Sequence, residues 1–514
     1  MVEKFATLWP EIALLVGAVA CLLTGLAPSQ ALRNFTPWVA GLALVGAGLL
    51  VAVVPTSETA AAMAGVTDFV KLAVVGIGLV LLLVAAGVPS QLKQTQQTER
   101  ARIFEPGNIM RGEFFAFFLF SLVGVMLTAG ASDLVWLFLA LELTSLPTYV
   151  MVATSRDRIE AQESAVKYFF LGAMAAAIFL YGFALIYGAT GFTDFTQIAA
   201  VIPEQLAGPN RSLLLTGLVL AVVGVCFKIA AVPMHYYAAD VYEGAATPVT
   251  AFLAFVPKTA GFVALMLLLN LVGWDPLPDV LIYLLWALAV LTMTVGNVLG
   301  LLQNNVKRVL AYSSIAHSGY MIIGLMVGPG DGVLNNGLAA VLFYLVAYGL
   351  GTIGAFAVLG SLRAHGEEAQ TFDDLNGLAR RHPGLAAIML LSVLSLLGIP
   401  PLVGFLGKVY LFVPAFSAGF VVLVVIALLN SAVSAAYYLR IASVCYFGQP
   451  AEGVQSMRLP GRFAGAAVAA IAALVLGLAG TQLVDAAHHA TQRPTATAQQ
   501  QPGDNTAVSR ADDR

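Results

Sequence analysis

The chain reads as an all-α polytopic membrane protein of about fourteen transmembrane helices, with two inverted five-helix repeats containing broken helices. Three observations predict this. Of 514 residues, 59% are hydrophobic and only 10% charged, with a mean hydropathy of +0.88; a soluble chain averages roughly 25% charged. Apolar runs of about 20 residues recur from end to end, each long enough to cross a ~30 Å hydrocarbon core as helix. Two of those runs are interrupted by proline beside a lysine, in opposite order along the chain.

The runs cover 11–27, 36–54, 69–88, 113–130, 134–154, 164–188, 212–236, 249–272, 279–302, 310–328, 336–362, 384–414, 419–447 and 463–483. They are continuous rather than alternating, which excludes a transmembrane barrel. The first starts after Trp9-Pro10-Glu11 without a charged n-region or a small-residue cleavage site, so it reads as a retained helix rather than a signal peptide. The expected organisation is an N-terminal three-helix segment (1–112), a first five-helix repeat (113–272), a second (279–447), a last transmembrane segment (455–487) and a disordered tail (488–514) rich in Gln, Thr, Ala and Asp.

Loops after odd-numbered runs hold Arg33, Lys93, Arg100, Arg102, Arg111, Arg156, Arg158, Lys307, Arg308, Arg363, Arg380, Arg381, Arg458 and Arg462. Loops after even-numbered runs hold only Lys71 and Arg211. By the positive-inside rule the odd loops are cytoplasmic, which places both termini on the outer, periplasmic side of the cell inner (plasma) membrane. Cys21, Cys226 and Cys445 all lie inside apolar runs and suggest neither a thiolate cluster nor a disulfide framework. A GxGxxG match, Gly349 to Gly354, lies within an apolar run with no strand before it, so close helix packing explains it better than a dinucleotide site. No redox centre, metal site or cofactor-binding motif is expected in this chain.

The seventh run is broken at Val232-Pro233 with Lys228 just before; the twelfth is broken at Gly398-Ile-Pro-Pro401 with Lys408 just after. Proline removes an amide donor, so a break at membrane depth is buried in protein or lines a wet cavity. The two runs are five apart and therefore cross in opposite directions. Inversion through the membrane plane requires this reversal of order, and it groups runs four to eight against nine to thirteen.

A charge near the bilayer centre costs about 2.5–3.5 kcal/mol on insertion scales. Glu142 lies about eight residues into the fifth run, roughly 12 Å deep at 1.5 Å per residue. Lys258 stands near the middle of the eighth run, and Lys228 and Lys408 stand beside the two breaks. A dry setting disfavours the charged amine and a nearby carboxylate favours it, so these residue types suit a proton relay. A static Glu142–Lys228 pair that only fixes helix register leaves Lys258 and Lys408 unexplained. Lys167, close to the cytoplasmic end of the sixth run at its start, fits a relay or a snorkelling side chain equally. His235 after the first break and His317 inside the tenth run fit either a proton relay or a hydrogen-bonded packing role. Lys307-Arg308 reads as a cytoplasmic flank.

Several stretches carry a resemblance: Phe227-Lys-Ile-Ala-Ala-Val-Pro-Met-His235, Asp240-Val-Tyr-Glu-Gly244, Thr247-Pro-Val-Thr-Ala-Phe-Leu253, Pro257-Lys-Thr-Ala-Gly261, Lys307-Arg-Val-Leu-Ala-Tyr-Ser-Ser-Ile-Ala-His317 and Gly398-Ile-Pro-Pro-Leu-Val-Gly-Phe-Leu-Gly-Lys408. Over about 112–447 the chain resembles the antiporter-like membrane subunits of proton-translocating NADH:quinone oxidoreductase, respiratory complex I. Within that group the Asp-Val-Tyr-Glu-Gly stretch and the Pro-Pro-Leu-x-Gly-Phe-x-x-Lys form of the twelfth run resemble the N subunits, called subunit 2 in mitochondria. The resemblance implies a hydrophilic axis carried by Glu142, Lys228, Lys258 and Lys408, with Lys167, His235 and His317 as lesser members. Tyr237, Ala239 and Ala246 depart from the family pattern and put the shape of their loop in doubt.

The expected function is therefore one proton translocation path of a redox-driven pump. Protons would enter from the cytoplasm, reach Lys258 through water and the Lys228 region, and leave by Lys408. FMN, iron-sulfur clusters and quinone are expected on partner subunits, and the partners are other membrane-arm subunits and the lipid bilayer, with no nucleic acid. Two alternatives stay open at this point: a subunit of a multi-subunit cation/proton antiporter, and a structural membrane spacer.

Overall fold

The computed structural model describes residues 7–57, 61–86, 112–156, 159–274, 276–364, 367–457 and 459–492. Lys93, Arg100, Arg102, Arg111, Arg158, Arg458 and most of the expected disordered tail lie outside the described residues. Among the described residues stand eighteen helices of nine or more residues. The first three are α1 (Trp9–Gly25), α2 (Gln30–Val53) and α3 (Ala64–Ala85). Then come α4 (Glu113–Ala129), α5 (Leu134–Ala153), α6 (Ile159–Thr190), α7 (Phe195–Ala207), α8 (Arg211–Val225), α9 (Tyr236–Gly244) and α10 (Thr247–Val272). The rest are α11 (Asp279–Leu301), α12 (Val306–Val327), α13 (Gly337–Leu359), α14 (Pro383–Leu397), α15 (Val403–Ser417), α16 (Val421–Phe447), α17 (Pro460–Ala479) and α18 (Thr481–Thr491).

Ten of these helices are long and apolar enough to cross a membrane. Four of the fourteen expected runs fall instead on apolar helices of 15 to 17 residues: α1, α4, α8 and the pair α14 and α15. Polar side chains at the helix starts catch free amide donors. Asp133 accepts from Trp136 N before α5, Asn305 from the amides of Lys307 and Arg308 before α12, and Asn336 from Ala339 N before α13.

The two breaks take different forms. After α8, residues 226–235 run as turns, with Ala230 in the left-handed region at φ 52° and a cis Val232-Pro233 peptide, before the chain resumes as α9. Between α14 and α15, Gly398 adopts φ 88° and donates to Leu394 O and Ser395 O, ending α14 ahead of the cis Pro400-Pro401 bond. Glycine fits that left-handed position without the penalty a side chain brings.

Helices α10 and α13 are buried along their whole length and α12 nearly so, while α2 and α17 are mostly exposed and apolar. The GxGxxG run belongs to this buried core: a side chain at Gly349 would strike the Phe255 ring, and one at Gly354 the Ser392 hydroxyl. All three cysteines are free and buried. At one end of the bundle, β1 (Leu362–Ala364), β2 (Glu367–Glu368) and β3 (Val454–Ser456) form a small antiparallel sheet in the order β2-β1-β3.

Three expectations need correction. Lys71 is no loop residue; it sits within α3, buried against Glu11. Arg462 is no solvated flank, since it is fully buried in the first turn of α17. The disorder expected from residue 488 does not begin there, because α18 continues to Thr491 and Asn336 Nδ2 donates to Thr491 Oγ1 at 2.8 Å. In each case a non-local partner compensates the polar group, which a linear reading does not see.

Candidate functional site

The structure places the four central ionisable residues inside the bundle. Lys228, Lys258 and Lys408 keep 3%, 2% and 6% of their surface exposed, and the Glu142 side chain keeps 18%. Lys228 reaches out of the turn that follows α8 and meets α5: its Nζ donates to Ser145 Oγ at 2.5 Å and lies 3.1 Å from Glu142 Oε1. The break brings it there, because the unwound segment lets the side chain leave the line of α8. Gly261 of α10 packs against this break, and an added Cβ would stand 2.6 Å from Ile229 Cγ2 and 2.9 Å from Lys228 Cβ.

One residue further, Ile229 O accepts from Ser318 Oγ at 2.5 Å, and Ser318 Oγ accepts from Lys258 Nζ at 2.6 Å. Lys258 also donates to Ser314 O at 2.6 Å. Serines a turn apart on α12 thus hold the Lys258 ammonium, and no carboxylate lies within ion-pair distance of it among the described residues. The ammonium faces the Tyr348 ring, 5.1 Å from its centroid.

His317 lies between these serines on α12 and is fully engaged. Its Nδ1 bonds Tyr344 OH at 2.7 Å, its Nε2 bonds Tyr438 OH at 3.0 Å, and that hydroxyl bonds Ser313 Oγ. Lys408 donates to Leu397 O, at the broken end of α14, and to Ser431 Oγ, both at 2.7 Å. Its ammonium lies 5.3 Å from the Tyr320 ring centroid, and Tyr320 OH accepts from Asn297 Nδ2 at 3.0 Å. Asn297 in turn donates to Asn430 Oδ1 and accepts from Tyr437 OH. A row of polar groups therefore runs from Glu142 on α5 to Ser431 on α16 through apolar helices.

The lesser candidates divide. His235 is buried beside the first break, with its Nδ1 lacking a hydrogen-bond partner among the described residues and its ring against Tyr236. Lys167 stands apart from the row: its side chain is 43% exposed and pairs with Glu163 at 2.8 Å and Asp240 at 2.9 Å. Asp240 and Glu243 also bind Arg308. Lys307, at the start of α12, is fully buried and donates to Ala245 O at 2.6 Å and Glu243 O at 3.2 Å, satisfying the carbonyl end of α9.

Lys167, Asp240 and Glu243 border a recess of about 610 Å³ that Arg156, Glu368 and Asp374 also line. Below it, Tyr242 OH lies 3.4 Å from Ser314 Oγ, on the serine whose carbonyl holds Lys258. Sequence reasoning missed Glu368, which is buried outside the helices. Burial pushes its carboxyl up, but Arg156, Lys307 and Arg462 and the Thr247 hydroxyl more than reverse this, leaving it at about 2. Its Oε2 accepts from Thr247 N, Thr247 Oγ1 and Arg156, so it also caps α10. No signal in the sequence pairs residues 156 and 368.

The departures in the α9 loop are accommodated. Tyr237 stacks on Tyr168 with ring centroids 5.0 Å apart and donates to Phe227 O at 2.9 Å, while Ala246 supplies the extended residue before α10.

A family model described as NADH:quinone oxidoreductase/Mrp antiporter, transmembrane, matches residues 131–434. NADH-quinone oxidoreductase subunit N of Trichlorobacter lovleyi is 41% identical over 444 residues, covering 86% of this chain and 87% of the relative. The subunit N of Alkalilimnicola ehrlichii is 37% identical over 493 residues, covering 95% and 96%. Among solved structures, a chain of respiratory complex I from Thermus thermophilus with bound aureothin superposes with a TM-score of 0.75 at 33% identity, covering 94% of this chain and 100% of that one. A chain of the Mrp complex from a Dietzia species shares the fold at 20% identity, with a TM-score of 0.77 and coverage of 96% and 97%.

Proposed function

The chain belongs to the NADH-quinone oxidoreductase subunit N family, and from that membership we propose that it is a membrane-arm subunit of the proton pump driven by NADH oxidation and quinone reduction. Other membrane-arm subunits are its partners, while flavin, iron-sulfur clusters and quinone belong to companion chains. The cytoplasmic membrane is its location, with both termini on the outer side. The distribution of Lys and Arg among the loops supports that orientation. The two lysine-bearing breaks, in opposite order along the chain, support reading 113–272 and 279–447 as inverted units.

The observation that carries the reading is the row itself: three lysines and a glutamate, each buried or largely so, with Lys228 and Lys258 linked through Ile229 O and Ser318, and Lys408 against the Tyr320 ring of the same helix α12. Buried ammonium groups cost several kcal/mol each, so a spacer that only had to stand in lipid would gain by apolar residues there. In our reading the recess beside Asp240 and Glu243 is the cytoplasmic mouth. Protons pass by Tyr242, Ser314 and water to Lys258, then by the His317 and tyrosine cluster to Lys408 and outward. Lys228, held by Glu142 and linked to Lys258 through Ile229 and Ser318, changes the affinity of the Lys258 site when the Glu142 pair loosens.

The test is Lys258→Met in the complete complex in inverted membrane vesicles. Electron transfer to an artificial acceptor is expected to persist. The proton path through this subunit is expected to slow at least about tenfold, ~1.4 kcal/mol on its barrier. An unchanged ratio of protons moved to NADH oxidised, in a fully assembled variant, would sink the proposal.

A further inference from the structure

A second buried ion pair lies outside both the row and the family-matched segment. Glu11, in the first turn of α1, and Lys71, two turns into α3, stand 2.9 Å apart with side chains 2% and 3% exposed. Lys71 Nζ also donates to Thr7 O at 3.0 Å. Apart from the Lys71 ammonium at Oε1, neither oxygen of Glu11 has a side-chain hydrogen-bond donor among the described residues. A static pair inside a membrane protein offsets the loss of hydration by filling the carboxylate lone pairs with donors. Glu368 receives three donors on its Oε2, whereas Lys71 is the one side-chain donor at Glu11 among the described residues.

What lies beside it instead is a cavity of about 10 Å³, bordered by Glu11, Lys71, Thr56, Thr67 and Trp136. That is about the room one water molecule needs, and the walls are polar enough to hold it. Thr56 and Ala61, also bordering the cavity, belong to the loop between α2 and α3, so the site lies at the helix ends rather than at mid-depth. A further carboxylate, Asp68, holds Thr56 at the cavity by accepting from Thr56 Oγ1 at 2.6 Å and Thr56 N at 3.1 Å. The inner wall is Trp136 of α5, the helix that carries Glu142 six residues, or about 9 Å, further along.

We propose that Glu11, Lys71 and one water held between them form a second proton-exchanging site, which connects the Glu142 end of the row with the aqueous phase on the side where α1 and α3 begin. The Lys71 ammonium hands a proton through the water to the Glu11 carboxylate, giving a neutral amine and a neutral acid. The acid releases its proton past Asp68 and Thr56 to solvent. The amine then takes one from inside, restoring the ion pair. No other group changes, and the pair is never left with an unbalanced positive charge.

This rests on the row conducting protons, and the experiment separates the two ideas. In the complete complex in vesicles, the double variant Glu11→Gln with Lys71→Met removes both charges and leaves neither unpaired. It is expected to assemble, oxidise NADH, and move fewer protons per NADH oxidised than the native complex. Normal pumping in the double variant beside a defective Lys258→Met overturns the second site alone; normal pumping in Lys258→Met overturns the row. Should the double variant fail to assemble, a map of the native complex that resolves waters decides: a water within hydrogen-bond reach of Glu11 is expected, and a dry pair overturns the proposal.

Discussion

At the scale of single residues, the most heavily buried acid outside the helices makes the clearest prediction. Glu368 has its carboxyl pressed down from the usual 4.5 to about 2, because its surrounding cations outweigh the effect of burial. A depressed acid contributes stability that is fully present above its unfolded value and is lost as pH falls through its folded one. The shift corresponds to on the order of 3 kcal/mol. Thermal midpoints of the detergent-dispersed complex are expected to be insensitive to this group from pH 7 down to about 5, then to fall steeply toward the folded value. Glu368→Gln is expected to lower the midpoint at pH 7 and flatten the acid limb; an acid limb identical to that of the native chain would contradict the assignment. The residue scale also shows what was legible. Glu142, Lys228, Lys258 and Lys408 announce themselves because a charge amid twenty apolar residues has an unfavourable solvation energy that demands a partner. Lys307, Arg462, Lys71 and Glu368 do not, because each stands near a run end or in a loop, where solvent is the default partner. Their burial comes from elements far away in sequence: Arg156 meets Glu368 across 212 positions, and Arg462 meets Val84 across 378.

At the scale of elements, the breaks were readable from Pro and Gly, but not the path of the chain through them. The seventh run unwinds at Cys226, seven residues before Pro233, since Ala231 N donates back to Cys226 O and Ala230 turns left-handed. That unwinding is what presents Ile229 O to Ser318 and Lys228 to Glu142. Helix α10 holds the unwound segment through Gly261, where any side chain meets Ile229 and Lys228 at under 3.0 Å. Gly261→Ala is therefore expected to displace the Ile229 carbonyl, loosen Ser318 and with it Lys258. Overpacking of this kind costs about 1–3 kcal/mol, which an assembled complex tolerates. The expected result is normal assembly with a lower ratio of protons moved to NADH oxidised. A normal ratio would show that the serine link from α12 to the break does not tune Lys258. The short elements α7, α9 and α18 went unread because none has the length or apolarity that marked the spans.

At the scale of the whole molecule, the question is what joins α3, α13 and α17. Arg462 does so at one point. Buried in the first turn of α17, it donates through Nε to Val84 O in the last turn of α3 at 3.1 Å, and through Nη1 to Gly360 O at the end of α13. Two helix ends, each with unsatisfied carbonyls and a partial negative charge, thus converge on one guanidinium. Its planar fork can serve both at once, which an ammonium on a flexible stem does poorly. Arg462→Met removes both charge-assisted bonds and leaves the carbonyls buried, a loss of about 3 kcal/mol or more. Arg462→Lys is expected to recover only part of it. Because the guanidinium is engaged at the ends of α3 and α13, the ratio of protons moved to NADH oxidised in surviving complexes is expected to stay normal while the thermal midpoint and the amount of assembled complex fall. A variant with unchanged midpoint would mean that the three parts are held together elsewhere. A variant with a normal midpoint and impaired pumping would instead make Arg462 a member of the conducting machinery, contrary to its place at the ends of α3 and α13.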